Sequence, residues 1–314
     1  MNITTSFDDN YIKYAIVMLT SFLINNPGHH TYYVLDHSLS ESSKDLIRDS
    51  LKNFDVEIIF LNVDFGEIEA LLPTTVHWTV DTYGTLLLQD ILPDNVDRIL
   101  YLDADTIVNG SLNDLYSMDF ENNRIIASID SNGSNNPDDY SDIQRQMMGD
   151  RISSYFNTGT MLINISGIRA MGNFRIYADA MEKWNYQMTA LEQDILNYVH
   201  LGYVKTIPWE KYNLFARFAY KDGWDYERVK DSVSIIHFAG VKPWQNSTFH
   251  YDIEKIWWEY AERSAVFNDI VMQFLFDLCT DHELENSVHS MINENKEMKI
   301  LIDKMYGIMQ KLGK

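Results

Sequence analysis

Two aspartates one residue apart stand directly after a short apolar run in the middle of the chain. The run is ILYL at 99–102, and the pair is Asp103 and Asp105. In extended backbone, side chains at i and i+2 point to the same side, so both carboxylates can face one site. Two oxygen ligands close together, with no obvious Lys or Arg partner, indicate a site for a divalent cation. The alternative is that Asp-x-Asp merely ends a strand, since the triplet is frequent by chance in an acidic chain.

A second candidate ligand, His237, follows a predicted strand and precedes a loop with a glycine and a lysine. Gly240 lets the backbone approach a ligand closely, and Lys242 can neutralise a phosphate as a point charge. An imidazole beside two carboxylates shifts the metal preference from Mg²⁺ towards Mn²⁺. A lone histidine is more often structural, so this role depends on Asp103 and Asp105 lying nearby.

The elements that must position these groups alternate between strands and helices over the first 250 residues. Short apolar runs predict strands at 2–6, 32–35, 56–61, 98–102, 125–129, 156–165 and 233–236. Apolar residues at helical spacing predict helices at 11–23, 40–54, 81–91, 173–187 and 190–200. This alternation is typical of an α/β protein with a wound, parallel sheet, which binds ligands beyond the carboxyl ends of its strands. The acidic pair is expected at such an end.

After about residue 250 the pattern is helical only. We therefore predict two domains, 1–250 as a catalytic α/β domain and 251–314 as a helical segment. Apolar residues at helical spacing near the end are Ile300, Leu301, Met305, Ile308, Met309 and Leu312. Because charges of both signs lie among them, we interpret this face as a packing or partner face rather than a membrane helix.

Composition limits the partners and the compartment. A net charge of −21 over 314 residues argues against nucleic acid or anionic lipid as a partner held by bulk electrostatics. No apolar run is long enough for a membrane span, and the first residues lack the pattern of a signal peptide. The single cysteine, Cys279, excludes an internal disulfide and fits a reducing compartment. We expect a cytoplasmic protein whose membrane association is at most peripheral.

Four short motifs, in this order, resemble those of family 8 of the retaining glycosyltransferases. They are LYLDAD at 100–105, FNTG at 156–159, EQDILN at 192–197 and HFAGVKPW at 237–244. The segment DDNY at 8–11 is also similar to the nucleotide-binding end of that family. The resemblance covers residues 1 to about 250. It implies a GT-A fold, a Rossmann-like, wound and mostly parallel mixed sheet flanked by helices, with a C-terminal helical extension.

The resemblance also implies a donor and a metal. Mn²⁺, with Mg²⁺ as a possible substitute, would be held by Asp103, Asp105 and His237 and would bind the phosphates of a UDP-sugar. The residues implied in binding that donor are Asp8, Asn10, Tyr11, Ala104, Asn157, Glu192, Gly240 and Lys242. Asp8 would accept a hydrogen bond from the uracil, Asn10 would reach the ribose, and Tyr11 would lie against the base.

Three residues are implied in catalysis. Asp130 and Gln193 match positions that hold the sugar, and Lys242 would stabilise the charge on the departing UDP. Because Gln193 is a poor nucleophile, retention by front-face attack is favoured over a double displacement. Simpler roles exist for several of these residues: Asp8 as a helix cap, Asp130 as a strand end, Asn157 as a turn residue and Gln193 as a solvated helix residue.

Two positions depart from the family pattern. Thr85 stands where the family often has Arg or Lys near the diphosphate, and this leaves the affinity for the diphosphate open. Glu192 stands where a shorter Asp is common, and this leaves the identity of the sugar open.

The function that these expectations favour is metal-dependent, retaining transfer of galactose or glucose from UDP-galactose or UDP-glucose. The acceptor would be a saccharide, a lipid-linked glycan or a glycoprotein in bacterial surface glycan synthesis. One alternative is a metal-dependent nucleotidyltransferase, which would need a Gly-rich basic loop near the N-terminus that residues 5–10 do not provide. The other is a non-catalytic sugar-nucleotide binding module, which turnover of a UDP-sugar would exclude.

Overall fold

The structure is a computed structural model that describes residues 1–66, 69, 72, 80–130, 137–245 and 250–280. The strands within these ranges are β1 (Asn2–Ser6), β2 (His30–Asp36), β3 (Val56–Asn62), β4 (Arg98–Leu102), β5 (Thr106–Val108), β6 (Ile125–Ile129), β7 (Phe156–Asn164), β8 (Val204–Thr206), β9 (Leu214–Phe215) and β10 (Ile235–His237). Each predicted strand coincides with one of these or overlaps it. The strands that were not predicted, β5, β8 and β9, are too short to show a periodic pattern.

Helices connect most of the strands. The α-helices are α1 (Ile12–Asn25), α2 (Glu41–Leu51), α3 (Leu88–Ile91), α4 (Asn113–Tyr116), α5 (Asp142–Met148), α6 (Ile165–Arg169), α7 (Arg175–Lys183), α8 (Leu191–Val199), α9 (Trp209–Tyr212), α10 (Ala216–Lys221), α11 (Tyr226–Ser232), α12 (Lys255–Glu262) and α13 (Phe267–Thr280). The 3₁₀ helices are Val80–Leu87, Pro137–Asp139, Gly149–Ser154 and Asp252–Glu254. The helix predicted at 81–91 is therefore mostly a 3₁₀ helix, a tighter form that is used in short pieces.

The large sheet has seven strands in the order β3-β2-β1-β4-β7-β6-β8. The strands β3, β2, β1 and β4 run parallel, β6 is parallel to β8, and β7 is antiparallel to both of its neighbours. From β1 the chain continues to β2 and β3 on one side and returns to β4 on the other. The chain order thus reverses between β1 and β4, and ligands of open α/β sheets bind beyond the carboxyl ends at such a point.

The central strand β4 is covered on both faces, which accounts for its continuous apolar sequence. Its residues from Ile99 to Leu102 are at most 4% exposed. Ile99 and Tyr101 belong to a core that also contains Tyr177 of α7 and Ile195 of α8. Burial of this strand fixes the position at which the chain emerges as the acidic pair.

A second, small sheet has the order β5-β10-β9. In it, β10 is antiparallel to β5 and parallel to β9, so His237 lies opposite both Thr106 and Phe215. The N–H of Phe238 donates a 3.0 Å hydrogen bond to the carbonyl of Asp105. This sheet therefore brings the end of β10 to the acidic pair, although more than a hundred residues separate them in the sequence.

The described residues fall into two compact units. One lies within Met1–Pro243 and Phe249–Phe267, and the other within Trp244–Thr248 and Asn268–Lys314. In the first unit, Tyr260 of α12 accepts a 2.8 Å hydrogen bond from Asn25 of α1. In the second unit, the described helix is α13. The predicted division after residue 250 stays a prediction.

The helical pattern of residues 281–314, including the apolar positions from Ile300 to Leu312, lies outside the described residues. Among the helices that are described, none combines the length and the apolar character that crossing a bilayer requires.

Candidate active site

The acidic pair lies in a tight turn at the carboxyl end of β4. Asp103 donates its N–H to the carbonyl of Gly159 at 2.8 Å, and its own carbonyl accepts from the hydroxyl of Thr106 at 2.8 Å. The Tyr101 hydroxyl donates to Asp103 Oδ1 at 2.9 Å. Because the backbone and one carboxylate oxygen are held in this way, Oδ2 of Asp103 has a fixed direction.

The structure brings His237 to both carboxylates. Its Nε2 lies 3.7 Å from Asp103 Oδ2 and 3.2 Å from Asp105 Oδ1, and the three candidate ligand atoms all lie within 4.8 Å of one another. The imidazole is buried, and the ring of Phe215 packs against it with the ring centres 5.0 Å apart. The three residues predicted as metal ligands are therefore neighbours in space.

Lys242 also reaches this cluster, which corrects the expectation that the acidic pair has no cationic partner. Its ammonium group forms an ion pair with Asp105 Oδ2 and donates to the carbonyl of Phe238 at 3.0 Å. The pairing of β10 with β5 is the reason, because it carries the loop after His237 back over the acidic turn. We call Asp103, Asp105, His237 and Lys242 the charged half of the site.

The two aspartates have different electrostatic surroundings. Burial and the neighbouring Asp105 raise the pKa of Asp103. Burial alone would raise the pKa of Asp105 too, but Lys242 and His237 outweigh it and hold that pKa below its usual range. Asp105 thus keeps its negative charge, and Asp103 is the carboxylate that a further cation would stabilise most.

Gly159 provides the space in which these groups meet. A Cβ added there would lie 2.3 Å from His237 Cε1 and 2.7 Å from Asp103 Oδ2. Neither distance is sterically possible, so a side chain at this position must displace the imidazole or the carboxylate. Gly159 belongs to the FNTG segment, but no local pattern singles it out, because its role depends on contacts with two distant strands.

Asp130, Asn157 and Gln193 form a second cluster beside the first. Asn157 Nδ2 donates to Asp130 Oδ1 at 3.4 Å and to Gln193 Oε1 at 3.1 Å. Gln193 Nε2 donates to Asp130 Oδ2 at 3.3 Å, and the backbone N–H of Thr158 donates to Gln193 Oε1 at 3.1 Å. We call Asp130, Asn157 and Gln193 the amide half of the site.

Glu192 precedes Gln193 at the start of α8. Its Oε1 accepts a weak, 3.5 Å hydrogen bond from the Thr158 hydroxyl. Burial, and after it the charge of Asp103, raises the pKa of Glu192 well above its usual range. A raised pKa favours the protonated carboxyl group, which can donate a hydrogen bond, whereas an ionised carboxylate cannot.

Asn213 joins the two halves. It is fully buried, its Oδ1 lies 2.9 Å from His237 Nδ1, and its Nδ2 donates to Asn157 Oδ1 at 2.9 Å and to Ser128 Oγ at 3.0 Å. This residue was not predicted from the sequence. A lone asparagine before a two-residue strand has no local pattern that predicts burial between two functional clusters.

The residues expected at the nucleotide end lie in the turn between β1 and α1. Asp8 accepts hydrogen bonds from the N–H of Asn10 at 3.0 Å, from its side-chain amide at 3.1 Å and from the N–H of Tyr11 at 3.1 Å. Burial, followed by the charges of Asp105 and Asp8, raises the pKa of Tyr11 to about 12. Tyr11 therefore lies close to the charged half, and buried Ala104 sits within the acidic turn itself.

The loop after His237 has a second cation beside it, Arg217, which was not predicted from the sequence. Gly240 has a φ of +95°, and a Cβ there would lie 3.1 Å from Arg217 Nη1. The exposed guanidinium of Arg217 lies 4.6 Å from the ring centre of Phe218. Thr85, in contrast, is buried, and its hydroxyl has no hydrogen-bond partner within the described ranges.

The donor atoms of the charged half fit a divalent cation. Two carboxylate oxygens and one imidazole nitrogen converge there, and this mixed O/N set suits Mn²⁺ better than Mg²⁺. The remaining oxygen of each carboxylate already has a donor, the Tyr101 hydroxyl or the Lys242 ammonium. Gly159 keeps side-chain atoms out of the space between the ligands.

Comparisons with known sequences agree on one family. The sequence model of glycosyl transferase family 8 matches residues 2–248. A Haemophilus influenzae protein described as a glycosyltransferase is 30% identical over 211 residues, which make up 66% of this chain and 61% of that protein. The chain thus matches less than two thirds of the length of this relative.

Two lipopolysaccharide-modifying enzymes match over more of the chain. A lipopolysaccharide 1,2-glucosyltransferase of Escherichia coli is 28% identical over 78% of this chain and 73% of that enzyme. The lipopolysaccharide 1,3-galactosyltransferase of Salmonella typhimurium is 25% identical over 93% of this chain and 86% of that enzyme.

Among solved structures, the galactosyltransferase LgtC in complex with donor and acceptor sugar analogues has a TM-score of 0.71 at 26% identity. An active-site mutant of LgtC has a TM-score of 0.72 at 25% identity. Each match covers 84% of this chain and 96% of the LgtC chain. The family match includes every residue of the charged half, the amide half and the nucleotide end.

Proposed function

Since the chain belongs to glycosyl transferase family 8 and has a GT-A fold, we propose that it transfers a hexose from a UDP-sugar to a saccharide acceptor with retention of configuration. The glycosyltransferase activity itself follows from the family. The proposed donors are UDP-glucose and UDP-galactose, because relatives are named as glucosyl- and galactosyltransferases. The proposed acceptors are surface saccharides, lipid-linked glycans or glycoproteins, since the same relatives act on lipopolysaccharide.

The observation that carries this proposal is the convergence of Asp103, Asp105 and His237 at the switch point of the sheet. Those residues would hold Mn²⁺, and such an ion, when bound, neutralises the diphosphate of the leaving UDP. An acidic chain of net charge −21 otherwise repels a nucleotide sugar, so cationic groups at this point are needed for binding.

The proposed roles of the other residues follow from their positions. Asp8, Asn10 and Tyr11 bind the uridine end, at the carboxyl end of β1. Lys242 moves from Asp105 towards the diphosphate and stabilises the negative charge that grows on UDP in the transition state. Gly240 brings backbone close to the same phosphates.

The amide half would orient the hexose. Asp130, Asn157 and Gln193 present a carboxylate and two amides, which are the groups that bind sugar hydroxyls. Gln193 has no ionisable oxygen to attack the anomeric carbon, so the proposed mechanism is front-face attack by the acceptor. In that mechanism the site holds both reactants in a fixed geometry, which replaces a covalent intermediate.

We further propose that the enzyme acts in the cytoplasm, where its single cysteine stays reduced. The helical segment after residue 250 is proposed as a separate part of the chain that helps to recruit the acceptor. Its deletion from residue 285 would then weaken transfer and spare hydrolysis of the donor.

A screen of UDP-sugars for UDP release tests the proposal. Metal-free protein is assayed with and without Mn²⁺ or Mg²⁺, and the anomeric configuration of the product is read by NMR. We expect UDP release from one UDP-hexose that requires metal, is faster with Mn²⁺, and gives the α-anomer from an α-linked donor. Full activity in EDTA, or an inverted product, would contradict the proposal. Tight UDP-sugar binding without any turnover would favour a binding module.

A further inference from the structure

The hydrogen bonds of the amide half have a fixed direction, because two backbone N–H groups determine it. The N–H of Gly159 donates to Asn157 at 2.9 Å, and a backbone N–H can only donate. The accepting atom of Asn157 is therefore its oxygen, and its nitrogen must face Asp130 and Gln193. The N–H of Thr158 fixes the oxygen of Gln193 in the same way.

The orientation of Asn157 in turn determines the orientation of the Asn213 amide. The Oδ1 of Asn157 already accepts from Gly159, so the Asn213 atom 2.9 Å away from it must be the nitrogen. The oxygen of Asn213 then faces His237 Nδ1 at 2.9 Å. Since an amide oxygen only accepts, Nδ1 of His237 must carry the proton.

The consequence for His237 concerns its other nitrogen. In the neutral imidazole with a proton on Nδ1, the lone pair lies on Nε2, which faces Asp103 and Asp105 at 3.7 and 3.2 Å. Nε2 of His237, Oδ2 of Asp103 and Oδ1 of Asp105 are then three acceptor atoms directed at one another. Such atoms repel one another unless a cation lies between them. The tautomer that a metal ion requires is thus set by a hydrogen-bond chain that begins at the backbone of β7.

We propose that Asn213 is a positioning residue that couples the metal-binding and sugar-binding halves of the site. Its oxygen fixes the tautomer and orientation of His237, and its nitrogen donates to the oxygen of Asn157, whose direction Gly159 already sets. This inference rests on the proposed function, and it adds a residue in contact with neither the metal nor the donor. The geometry assigns each end of one amide group to a different half.

Two substitutions separate the two ends of the amide. In Asn213→Asp, an oxygen can still accept from His237, but no donor remains for Asn157 Oδ1. In Asn213→Leu, which is similar in size, both contacts are lost. Ser128→Ala is the matched control, because Ser128 is equally buried and is the third partner of Asn213 but lies in neither half.

The test uses two binding measurements on the full chain, with circular dichroism and thermal melting as a check on folding. Mn²⁺ is titrated into metal-free protein and followed by electron paramagnetic resonance. UDP and the donor UDP-hexose are then titrated in the presence of Mn²⁺, and the ratio of their affinities measures the contribution of the hexose.

Loss of an outer partner of a metal ligand typically lowers metal affinity ~10–100-fold, so we expect a decrease of that size for Asn213→Leu. For Asn213→Asp we expect Mn²⁺ affinity within about threefold of wild type, and ~10-fold loss of the hexose contribution, the equivalent of one hydrogen bond to a buried polar group. Ser128→Ala should leave the Mn²⁺ affinity and the hexose contribution within about threefold of the wild-type values.

Equal Mn²⁺ affinity in Asn213→Leu and wild type would overturn the proposal, and so would equal losses in Asn213→Leu and Ser128→Ala. If Asn213→Leu does not fold, Asn213→Asp decides alone, since loss of Mn²⁺ affinity without loss of the hexose contribution contradicts the assigned ends. Failure of the wild type to bind Mn²⁺ or UDP would instead overturn the proposed function.

Discussion

The charged half and the amide half of the site adjoin each other but are built on different physical principles. In the charged half, Asp103, Asp105 and His237 direct acceptor atoms at one another, and only Lys242 among the described residues adds a side-chain cation there. In the amide half, the side-chain amides of Asn157 and Gln193 have both donors and acceptors engaged. The charged half is therefore electrostatically suited to a cation, whereas the amide half is organised in advance for a neutral, hydroxyl-rich ligand.

The difference also lies in what holds each half in place. Backbone N–H groups of β7 hold the amide half in place by hydrogen bonds, and any sequence that forms the strand would supply such groups. The charged half depends on two separate chain segments, 103–105 and 237–242, which meet because β5 pairs with β10. Substitutions in the charged half should thus affect metal and turnover, and substitutions in the amide half should affect the recognition of the sugar.

The largest effect is expected from Asp103→Asn and Asp105→Asn. Each removes a charged ligand, and a Lewis acid contributes several kcal/mol at the transition state, which corresponds to ~1,000-fold or more in kcat/KM. The measurement is Mn²⁺-dependent UDP release, with the exposed Asp94→Asn as a control of the same chemistry. Variants that fold and keep more than a tenth of the activity would show that this half does not hold the metal.

Lys242→Ala should lower kcat ~100-fold or more, because a stabilising donor at the leaving group is lost. Mn²⁺ affinity at neutral pH should stay equal or rise, since a competing cation leaves Asp105. Lys242 also helps to hold the pKa of Asp105 low. Without Lys242 the pKa of Asp105 rises. Acidification should therefore abolish Mn²⁺ binding by the variant at a higher pH than it does for wild type.

Steady-state kinetics and a pH series of Mn²⁺ titrations check both parts of this expectation. Lys230→Ala is the control, because Lys230 also forms an ion pair, with Glu259 at 3.0 Å, but lies outside the site. An unchanged kcat in Lys242→Ala would leave Lys242 as a structural partner of Asp105 only.

Gly159→Ala should disturb the junction of the two halves. The added Cβ would overlap His237 and Asp103, and a 1 Å displacement of reacting groups can cost ~100-fold in rate. Mn²⁺ affinity and kcat should fall together, as measured by titration and UDP release. In Gly110→Ala the added Cβ meets nothing nearer than 3.3 Å, and near-wild-type values are expected there. Normal Mn²⁺ binding in Gly159→Ala would mean that binding of the ion does not require the His237 imidazole in its observed position.

Gln193→Ala should act on the sugar and leave the metal alone. It removes the amide that donates to Asp130 and that accepts from the N–H of Thr158. The loss of about one net hydrogen bond corresponds to a ~10-fold increase in the KM for the UDP-hexose. Mn²⁺ titration and the KM for the donor are the two measurements. A variant with weaker Mn²⁺ binding and an unchanged KM would contradict the division into two halves.

The smallest effect is a pH-dependent change in stability for Glu192→Gln. The folded pKa of Glu192 is raised above its unfolded value of about 4.5 by burial and by Asp103. The stability that Glu192 contributes is thus present below pH 4.5 and is lost as the pH rises through the raised, folded value.

Because glutamine has no proton to lose, the Tm difference between Glu192→Gln and wild type should grow as the pH rises above 4.5, by ~2–4 °C for each kcal/mol. Thermal melts at several pH values measure it, with the exposed Glu227→Gln as a control. A constant difference at all pH values would mean that folding does not raise the pKa of Glu192.

Local patterns in the sequence were enough for much of the fold and for part of the site. The apolar run before Asp103, the i, i+2 spacing of Asp103 and Asp105 and the loop after His237 all have short-range signatures, since strand burial and side-chain alternation act over a few residues. The predicted strands and the parallel order of β1 to β4 follow from the same periodicity. These features could be predicted because the physics that causes them is local.

Only the tertiary structure decided which groups touch. Asn213, Gly159, Arg217 and the ion pair of Lys242 with Asp105 were not predicted, and each depends on strands that lie far apart in the sequence. The burial of Asn213 between Asn157 and His237 leaves no mark on its neighbours in the chain, because its partners come from other elements. Hydrogen-bond direction and steric room between segments are properties of the packed structure, and for that reason no local pattern could contain them.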